Sequence, residues 1–210
     1  MIMHIDSIEK YKGEIWCVII DGVKRVYLHR DIIDKFGLEP DSEIENDTLT
    51  DVLYSSDLRR ASRRAMYLIN EREYSYIQLF EKLQKNYPDE ICFAVANDMA
   101  EKGYINDHRY ADEIVYSYMV CKCYGPRRVK QELYKRGVMG QVADMAIERE
   151  MDGLYERLLS VIEKKYSEYL DDPDDRKSVL KVKNALARMG YDFDDINSAV
   201  REYMEDNSEE

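Results

Sequence analysis

The sequence predicts a mainly α-helical protein: tandem three-helix repeats in an elongated array, preceded by a small N-terminal β-hairpin or three-stranded sheet. Three observations support this fold class. β-Branched runs are confined to the first part of the chain, apolar residues recur at helical spacing after it, and a three-helix pattern repeats about every 50 residues. Of the 210 residues, 45% are hydrophobic and 35% are charged. That mixture is too apolar for a disordered chain and too charged for a membrane protein.

Strands are predicted at the N-terminus. Residues 14–21 form a β-branched, apolar run that ends in Asp21-Gly22, a dipeptide typical of a two-residue hairpin turn. Residues 23–29 alternate as the partner strand, and residues 2–11 are a candidate third strand. A sheet this small needs a helix to cover it. Residues 31–36 are a candidate covering helix, which Gly37 would end.

From Asp41, a candidate helix cap, the apolar spacing is helical to the end of the chain. Ser75 is a candidate N-cap for one helix and Asp107 opens another. Leu83, Leu133 and Leu186 occupy equivalent places, with separations of 50 and 53 residues. The predicted parts are an N-terminal segment and three repeats: residues 1–56, 57–106, 107–152 and 153–210. The alternative is a single helical bundle with accidental periodicity.

The break inside the third repeat is the acidic run Asp171-Asp-Pro-Asp-Asp175. Proline cannot continue a helix from the residues before it, so the run separates two helices. The sequence leaves open whether it is a hinge or a tight loop.

Charge is unevenly distributed along the chain. The total is −12, but residues 1–56 carry −6, residues 57–140 carry +3 and residues 141–210 carry −9. Arginine binds carboxylate and phosphate groups through its planar fork, so basic clusters in the central segment are candidate partner-binding residues. These candidates are Arg59, Arg60, Arg63, Arg64, Arg127, Arg128, Lys130, Lys135 and Arg136. A solvated helix face is the alternative interpretation.

Catalytic and metal-binding patterns are absent from the sequence. The cysteines and histidines lack metal-site spacing, and no phosphate loop or nucleophile motif occurs. We therefore expect no metal, no cofactor and no enzymatic activity. The N-terminus lacks a signal-peptide layout, and the longest apolar run, Ile15–Ile20, is too short to span a membrane. The expected location is the cytoplasm, with no membrane partner and a monomeric state.

Three motifs resemble a known family. They are Arg72-Glu-Tyr-Ser-Tyr-Ile-Gln-Leu-Phe-Glu-Lys-Leu83, Glu101-Lys-Gly-Tyr-Ile-Asn-Asp-His-Arg-Tyr-Ala111 and Gly125-Pro-Arg-Arg-Val-Lys-Gln-Glu-Leu-Tyr-Lys-Arg-Gly-Val138. In order and separation they resemble the RecX family of bacterial regulatory proteins, which modulate the RecA recombinase. The resemblance covers residues 57–150 well and the remainder more loosely. It implies a tandem three-helix-repeat protein that binds RecA filaments on single-stranded DNA and inhibits strand exchange and ATP hydrolysis.

The family-signature residues also have a structural interpretation. They are Gly103, Tyr104, Asp107, Arg109, Tyr110, Ala111, Gly125, Leu133 and Gly137. We expect Gly103 to end a helix and Asp107 to cap the next, with Tyr104 and Ile105 filling the corner and Arg109 pairing with a carboxylate. The acidic total favours a contact supplied mainly by filament protein, with the basic centre reaching either an acidic protein surface or DNA phosphate.

Two other functions stay open. A stand-alone helical nucleic-acid-binding protein would bind duplex DNA with sequence preference and without RecA. A protein adaptor would bind through a concave repeat surface. The acidic ends of the chain argue against the first of these.

Overall fold

The structure, a computed structural model, describes residues 2–172 and 175–207. Within them lie four strands and ten α-helices, which form two compact units. One unit contains the described residues up to Arg72 together with Leu79–Tyr104. The other contains Glu73–Gln78 together with the described residues from Ile105 onward. The prediction of a mainly helical chain behind a small N-terminal sheet is confirmed.

The sheet in the first unit has four antiparallel strands. They are β1 (Ile2–Lys12), β2 (Ile15–Ile20), β3 (Lys24–His29) and β4 (Ser42–Glu45), in the order β3-β2-β1-β4. The turn between β2 and β3 has positive φ at both Asp21 and Gly22, as its sequence predicts.

The fourth strand corrects the predicted two or three strands. Strand β4 pairs with the start of β1, with Ile44 opposite Met3, and this pairing buries Ile44 to 4% exposure. Asp41 therefore precedes a strand, and the prediction that it caps a helix is wrong. The next helix begins at Asn46, after the strand ends.

Helices α1 (Arg30–Phe36) and α2 (Asn46–Glu71) pack against the sheet and close its core. Gly37 ends α1 in the left-handed region with φ +60°, as expected. The core consists of apolar side chains from all of these elements: Ile5, Val18, Ile20, Val26, Leu28, Ile32, Ile33, Ile44, Leu49 and Val52. Helix α2 is continuous through residue 56, the first predicted domain boundary, and it packs against α4 (Asp89–Glu101).

The second unit contains two groups of three helices. After α3 (Tyr76–Gln84), the first group comprises α5 (Asp107–Val115), α6 (Pro126–Lys135) and α7 (Gly140–Arg149). A π-helical segment, Tyr116–Cys121, continues α5. The second group comprises α8 (Leu154–Tyr166), α9 (Arg176–Met189) and α10 (Phe193–Asp206). Helix α5 packs on α7, and α8 packs on α10.

A single apolar core runs through both groups, and fully buried Leu133, Leu158 and Leu186 belong to it. Residues 173 and 174 of the predicted break at 171–175 lie outside the described residues. Asp175, which follows them, caps α9: its carboxylate accepts hydrogen bonds from the amides of Lys177 and Ser178.

Candidate partner-binding surface

Helix α6 carries four of the predicted cations, and three of them are held in ion pairs. Proline at its first position suits the helix start, because the missing N–H would have no helical partner there. Arg127 pairs with Asp192, the N-cap residue of α10. The ammonium of Lys130 lies 2.5 Å from Asp144 of α7, which raises the pKa of the lysine. Lys135 pairs with Glu132 within the same helix at 3.0 Å.

Arg136, just after α6, lies in a polar cluster with Glu132 and Tyr118. Its guanidinium donates to the Glu132 carboxylate at 2.7 Å and to the Tyr118 hydroxyl at 3.2 Å. The hydrogen bond from Arg136, followed by that from Lys135, lowers the pKa of Glu132 below its ordinary value. Side-chain exposures of 23% for Arg136 and 17% for Glu132 show that this pair is largely covered. Arg136 therefore contributes to packing between helices.

Arg128 is also held inside the second unit. Its guanidinium lies 4.3 Å from the ring centroid of Tyr124 and donates to the main-chain oxygen of Arg188 at 3.4 Å. Stacking of this kind is typical of arginine and does not require a carboxylate. All five basic side chains predicted around α6 thus have partners within the protein.

Helix α9 carries a second row of cations that the sequence analysis did not select. The helix has five basic residues and no acidic one. These residues are Arg176, Lys177, Lys181, Lys183 and Arg188. Four of the five are exposed and Lys183 is half-buried. Among the described residues, none of them forms an ion pair with a carboxylate.

The arginines of α2 form a third basic group, in the first unit. Arg59 donates to Asp31 at 2.9 Å and lies 3.0 Å from His29. Arg60 forms a weaker pair with Asp57 at 3.4 Å. Arg63 and Arg64 are exposed and have no ion pair among the described residues, although the guanidinium of Arg64 lies 5.3 Å from the ring centroid of Tyr67. The exposed cations of α2 are therefore Arg60, Arg63 and Arg64.

Helices α9 and α6 meet end to end through two glycines. The amide of Gly125 donates to the carbonyl of Met189 at 2.9 Å, and the amide of Arg127 donates to that of Gly190 at 3.1 Å. A Cβ atom on Gly125 would lie 2.3 Å from the carbonyl carbon of Gly190. One on Gly190, whose φ is +95°, would lie 2.4 Å from the amide nitrogen of Arg128. The contact therefore requires glycine on both sides.

A second junction joins the C-terminal end of α6 to residues 73–78. The hydroxyl of Ser75 donates to the main-chain oxygen of Arg136 and accepts from the amide of Gln78, which makes it the expected N-cap of α3. Gly137 has φ +77°, and a Cβ there would lie 2.4 Å from Cβ of Ile77. Of the family-signature residues, Gly125 and Gly137 thus lie at the two ends of α6.

Asp107 has a different contact from the one expected. The carboxamide of Asn106 caps α5 by accepting from the amides of His108 and Arg109, because the chain is still extended at that residue. Asp107 is the first helical residue, and its carboxylate instead accepts from the amide of Tyr76 at 2.8 Å. The predicted cap was therefore one residue too late.

The remaining signature residues mostly form the expected contacts. Arg109 pairs with Glu73 at 3.2 Å, and the hydroxyl of Tyr110 donates to Gln78 at 3.1 Å. Ala111 and Leu133 are fully buried. Gly103, with φ +72°, follows Lys102, the C-cap residue of α4, and so lies at the helix end as expected. Of the two residues expected to fill the corner, Ile105 is buried to 3% exposure, whereas Tyr104 is 44% exposed and does not.

Neither a metal centre nor a membrane-spanning helix occurs in the part of the chain that the structure describes. Residues 2–172 and 175–207 contain no group of three acidic, cysteine or histidine side chains arranged to bind a metal ion. No helix in those ranges combines the length and apolarity that crossing a bilayer requires. The four cysteines are free thiols.

These features define a protein built from tandem three-helix domains behind a small N-terminal sheet, in which the cations of α9 have no carboxylate partner among the described residues. Residues 106–147 match the family model for the second three-helix domain of RecX, and residues 152–200 match the model for the third. The regulatory protein RecX of Ectopseudomonas mendocina is 31% identical over 140 residues, which cover 66% of this chain and 91% of that protein. The chain belongs to the RecX family of regulatory proteins.

Other relatives agree with this assignment. The regulatory protein RecX of Clostridioides difficile is 23% identical over 89% of this chain and 88% of its own length. A crystal structure of a regulatory protein RecX superposes with a TM-score of 0.71 at 20% identity, covering 97% of this chain and 99% of that chain. The structure of RecX from Lactobacillus salivarius has a TM-score of 0.65 at 23% identity, over 70% and 97%. At these identities the two structures support the fold.

Proposed function

We propose that this protein binds the RecA recombinase filament on single-stranded DNA and inhibits its recombinase and ATPase activities, and thereby regulates DNA recombination and repair. The observation that carries the proposal is membership of a family whose proteins are named regulatory protein RecX, over most of the chain. The protein acts by binding, without catalysis and without a cofactor.

Helix α9 supplies the strongest basic contact in this proposal. Within the part of the chain that the structure describes, its cations have no carboxylate to release before they bind phosphate or an acidic protein surface. The exposed arginines of α2, Arg60, Arg63 and Arg64, supply a second contact. Arg59 and the predicted group around α6, which comprises Arg127, Arg128, Lys130, Lys135 and Arg136, contribute less, because each must first exchange an internal partner for an external one.

The charge distribution supports a composite target. With a total of −12, the chain is repelled by bare nucleic acid at long range. Short-range contact between α9 and nucleic acid is still favourable where a protein surface holds this protein close to the nucleic acid. A nucleoprotein filament provides both components, so the proposal combines protein contacts with local phosphate contacts.

The test is single-stranded-DNA-dependent ATP hydrolysis by the cognate recombinase, measured while the concentration of this protein is raised. We expect a concentration-dependent fall in hydrolysis and release of the recombinase from a fluorescent oligonucleotide. A rate that is unchanged at every ratio would contradict the proposal. Binding to duplex DNA with sequence preference, in the absence of recombinase, would instead favour a stand-alone nucleic-acid-binding protein.

A further inference from the structure

The outer edge of the N-terminal sheet presents unpaired backbone groups. Strand β3 lies at the end of the strand order, and β2 is its one partner among the strands that the structure describes. The amide of Arg30 donates to the carbonyl of Glu14 at 2.9 Å, and this bond fixes which residues of β3 face β2. Because hydrogen-bonded and non-hydrogen-bonded pairs alternate in an antiparallel ladder, the N–H and C=O groups of Arg25 and Tyr27 point away from the sheet.

A groove runs along this edge. A cavity of about 570 Å³ is lined by residues 24–27 and His29 of β3, and by one face of α2. Consecutive side chains of a strand point to opposite faces of the sheet, so a cavity on one face would be lined by every second residue. Because residues 24, 25, 26 and 27 all line this cavity, it follows the edge of the strand. On α2 the lining residues include Leu53, Asp57, Arg60 and Arg63, and ten residues of helix span about 15 Å. That length matches about four residues of extended chain.

Both walls of the groove are basic. Lys24 and Arg25 lie on the strand side, and Arg60 and Arg63 lie on the helix side. Among the described residues that line the groove, Asp57 is the one carboxylate. Near His29 the contact of Arg59 with Asp31 holds one of the lining cations in place. Lys24 and Arg25 lie in residues 1–56, which carry a net charge of −6, whereas Arg60 and Arg63 belong to the basic central segment.

We propose that the groove between β3 and α2 binds an extended, acidic polypeptide segment, which adds to the sheet as a fifth strand. Acidic side chains on the segment would pair with Arg25, Arg60 and Arg63. The backbone pattern favours polypeptide over nucleic acid. A strand supplies both donors and acceptors to the free C=O and N–H groups of Arg25 and Tyr27, whereas a phosphate backbone supplies acceptors alone and leaves the carbonyls unmatched.

This site goes beyond the proposed function. It lies outside the residues that match the RecX domain models, and it depends on the sheet edge. It shares Arg60 and Arg63 with the predicted basic surface of α2, but its ligand is a polypeptide strand. The test uses the full-length chain without recombinase, so failure of either proposal leaves the other standing.

The experiment measures fluorescence anisotropy of a labelled eight-residue peptide of alternating glutamate and threonine. We expect saturable binding to the full-length protein, weakened at least tenfold by the combined substitution Arg25→Ala, Arg60→Ala and Arg63→Ala. The matched control replaces three exposed lysines of the same unit that do not line the groove: Lys10→Ala, Lys82→Ala and Lys85→Ala. The control removes the same charge and should bind the peptide as the unchanged protein does.

Two further probes separate strand addition from charge attraction. Two peptides are compared, one N-methylated at the odd-numbered residues and the other at the even-numbered residues. Their affinities should differ sharply, because only one of these two sets of amides faces β3 in an added strand. Equal binding of the two methylated peptides would overturn the proposal, and so would equal weakening by the control variant. An eight-residue oligothymidylate that bound as tightly as the peptide would assign the groove to phosphate and also overturn it. Absence of peptide binding would also overturn the proposal.

Discussion

Helices α6 and α9 are equivalent middle helices of neighbouring three-helix groups, yet their charges are arranged in opposite ways. Both carry rows of lysine and arginine. Around α6 the cations are satisfied by Asp144, Asp192, Glu132 and two tyrosine rings. On α9 they have no carboxylate partner among the described residues. The number of basic residues in a helix is therefore a poor guide to binding, because a paired cation stabilises the fold and an unpaired one remains available.

The largest expected effect breaks the junction through which the two helices meet. The substitution Gly190→Ala puts a Cβ atom 2.4 Å from the amide nitrogen of Arg128 at a φ of +95°. Overpacking together with left-handed strain should cost about 3 kcal/mol or more in the free energy of unfolding, measured with urea. The control is Gly140→Ala, which has φ +59° but no atom within 4 Å of the new Cβ. It should cost about 1 kcal/mol, and similar losses for both variants would contradict the close contact.

Charge removal tests the comparison directly. The triple substitution of Lys177, Lys181 and Arg188 by Ala should weaken binding to the recombinase filament roughly tenfold and reduce its dependence on salt concentration. The matched substitution of Arg127, Lys130 and Lys135 by Ala removes three paired charges and should weaken binding less. Filament binding is measured by co-sedimentation over a series of salt concentrations. A greater loss in the α6 variant would reverse the assignment of the two helices.

Acid pH should affect the α6 cluster through Glu132. Its pKa is lowered in the folded protein, so its stabilising contribution is complete above the ordinary value of 4.5 and is lost as the pH falls through the lowered folded value. Glu132→Gln should cost roughly 1.5–3 kcal/mol at neutral pH, because Arg136 loses a charged hydrogen-bond partner. Between about pH 5 and about pH 3, the range in which carboxyl groups titrate, the same variant should lose less stability than the unchanged protein. A parallel acid dependence in both proteins would contradict the role of Glu132.

The smallest expected effect concerns the most exposed ion pair of α6. Arg127 and Asp192 have side-chain exposures of 58% and 45%, so water screens their attraction. Arg127→Ala should therefore change the free energy of unfolding by at most about 1 kcal/mol. Chemical denaturation at low and high salt measures this difference. A loss of twice that size would mean that the pair is essential to the contact between α6 and α10.

Local signals in the sequence predicted most of the helical organisation, because capping and helix ends depend on neighbouring residues. Ser75, Gly103 and Pro126 lie at helix ends where they were expected. Strand β4 was missed because its four residues include a single apolar one, Ile44, and its partner strand is about 40 residues earlier. The cap of α5 was misplaced because Asn106 and Asp107 are adjacent and both can cap.

The surface was harder to predict, since pairing depends on distant residues. The partner of Arg127 is 65 positions later, at Asp192. The cations of α9, which pair with no carboxylate in the described part of the chain, lie outside the predicted set because the segment that contains them has a net charge of −9, and this total conceals a basic helix among acidic neighbours. Which cations have partners depends on the packing of helices, and that information is absent from a count of charges.

The junction between α9 and α6 also has a consequence for synthesis on the ribosome. The amide of Arg127 finds its acceptor, the carbonyl of Gly190, 63 residues further along the chain. At a translation rate of 5–20 residues per second, about 3–13 s pass between the emergence of the two groups. Until then the first turn of α6 must be hydrated by solvent, so the three-helix group that contains α6 is completed by the group that is synthesised after it.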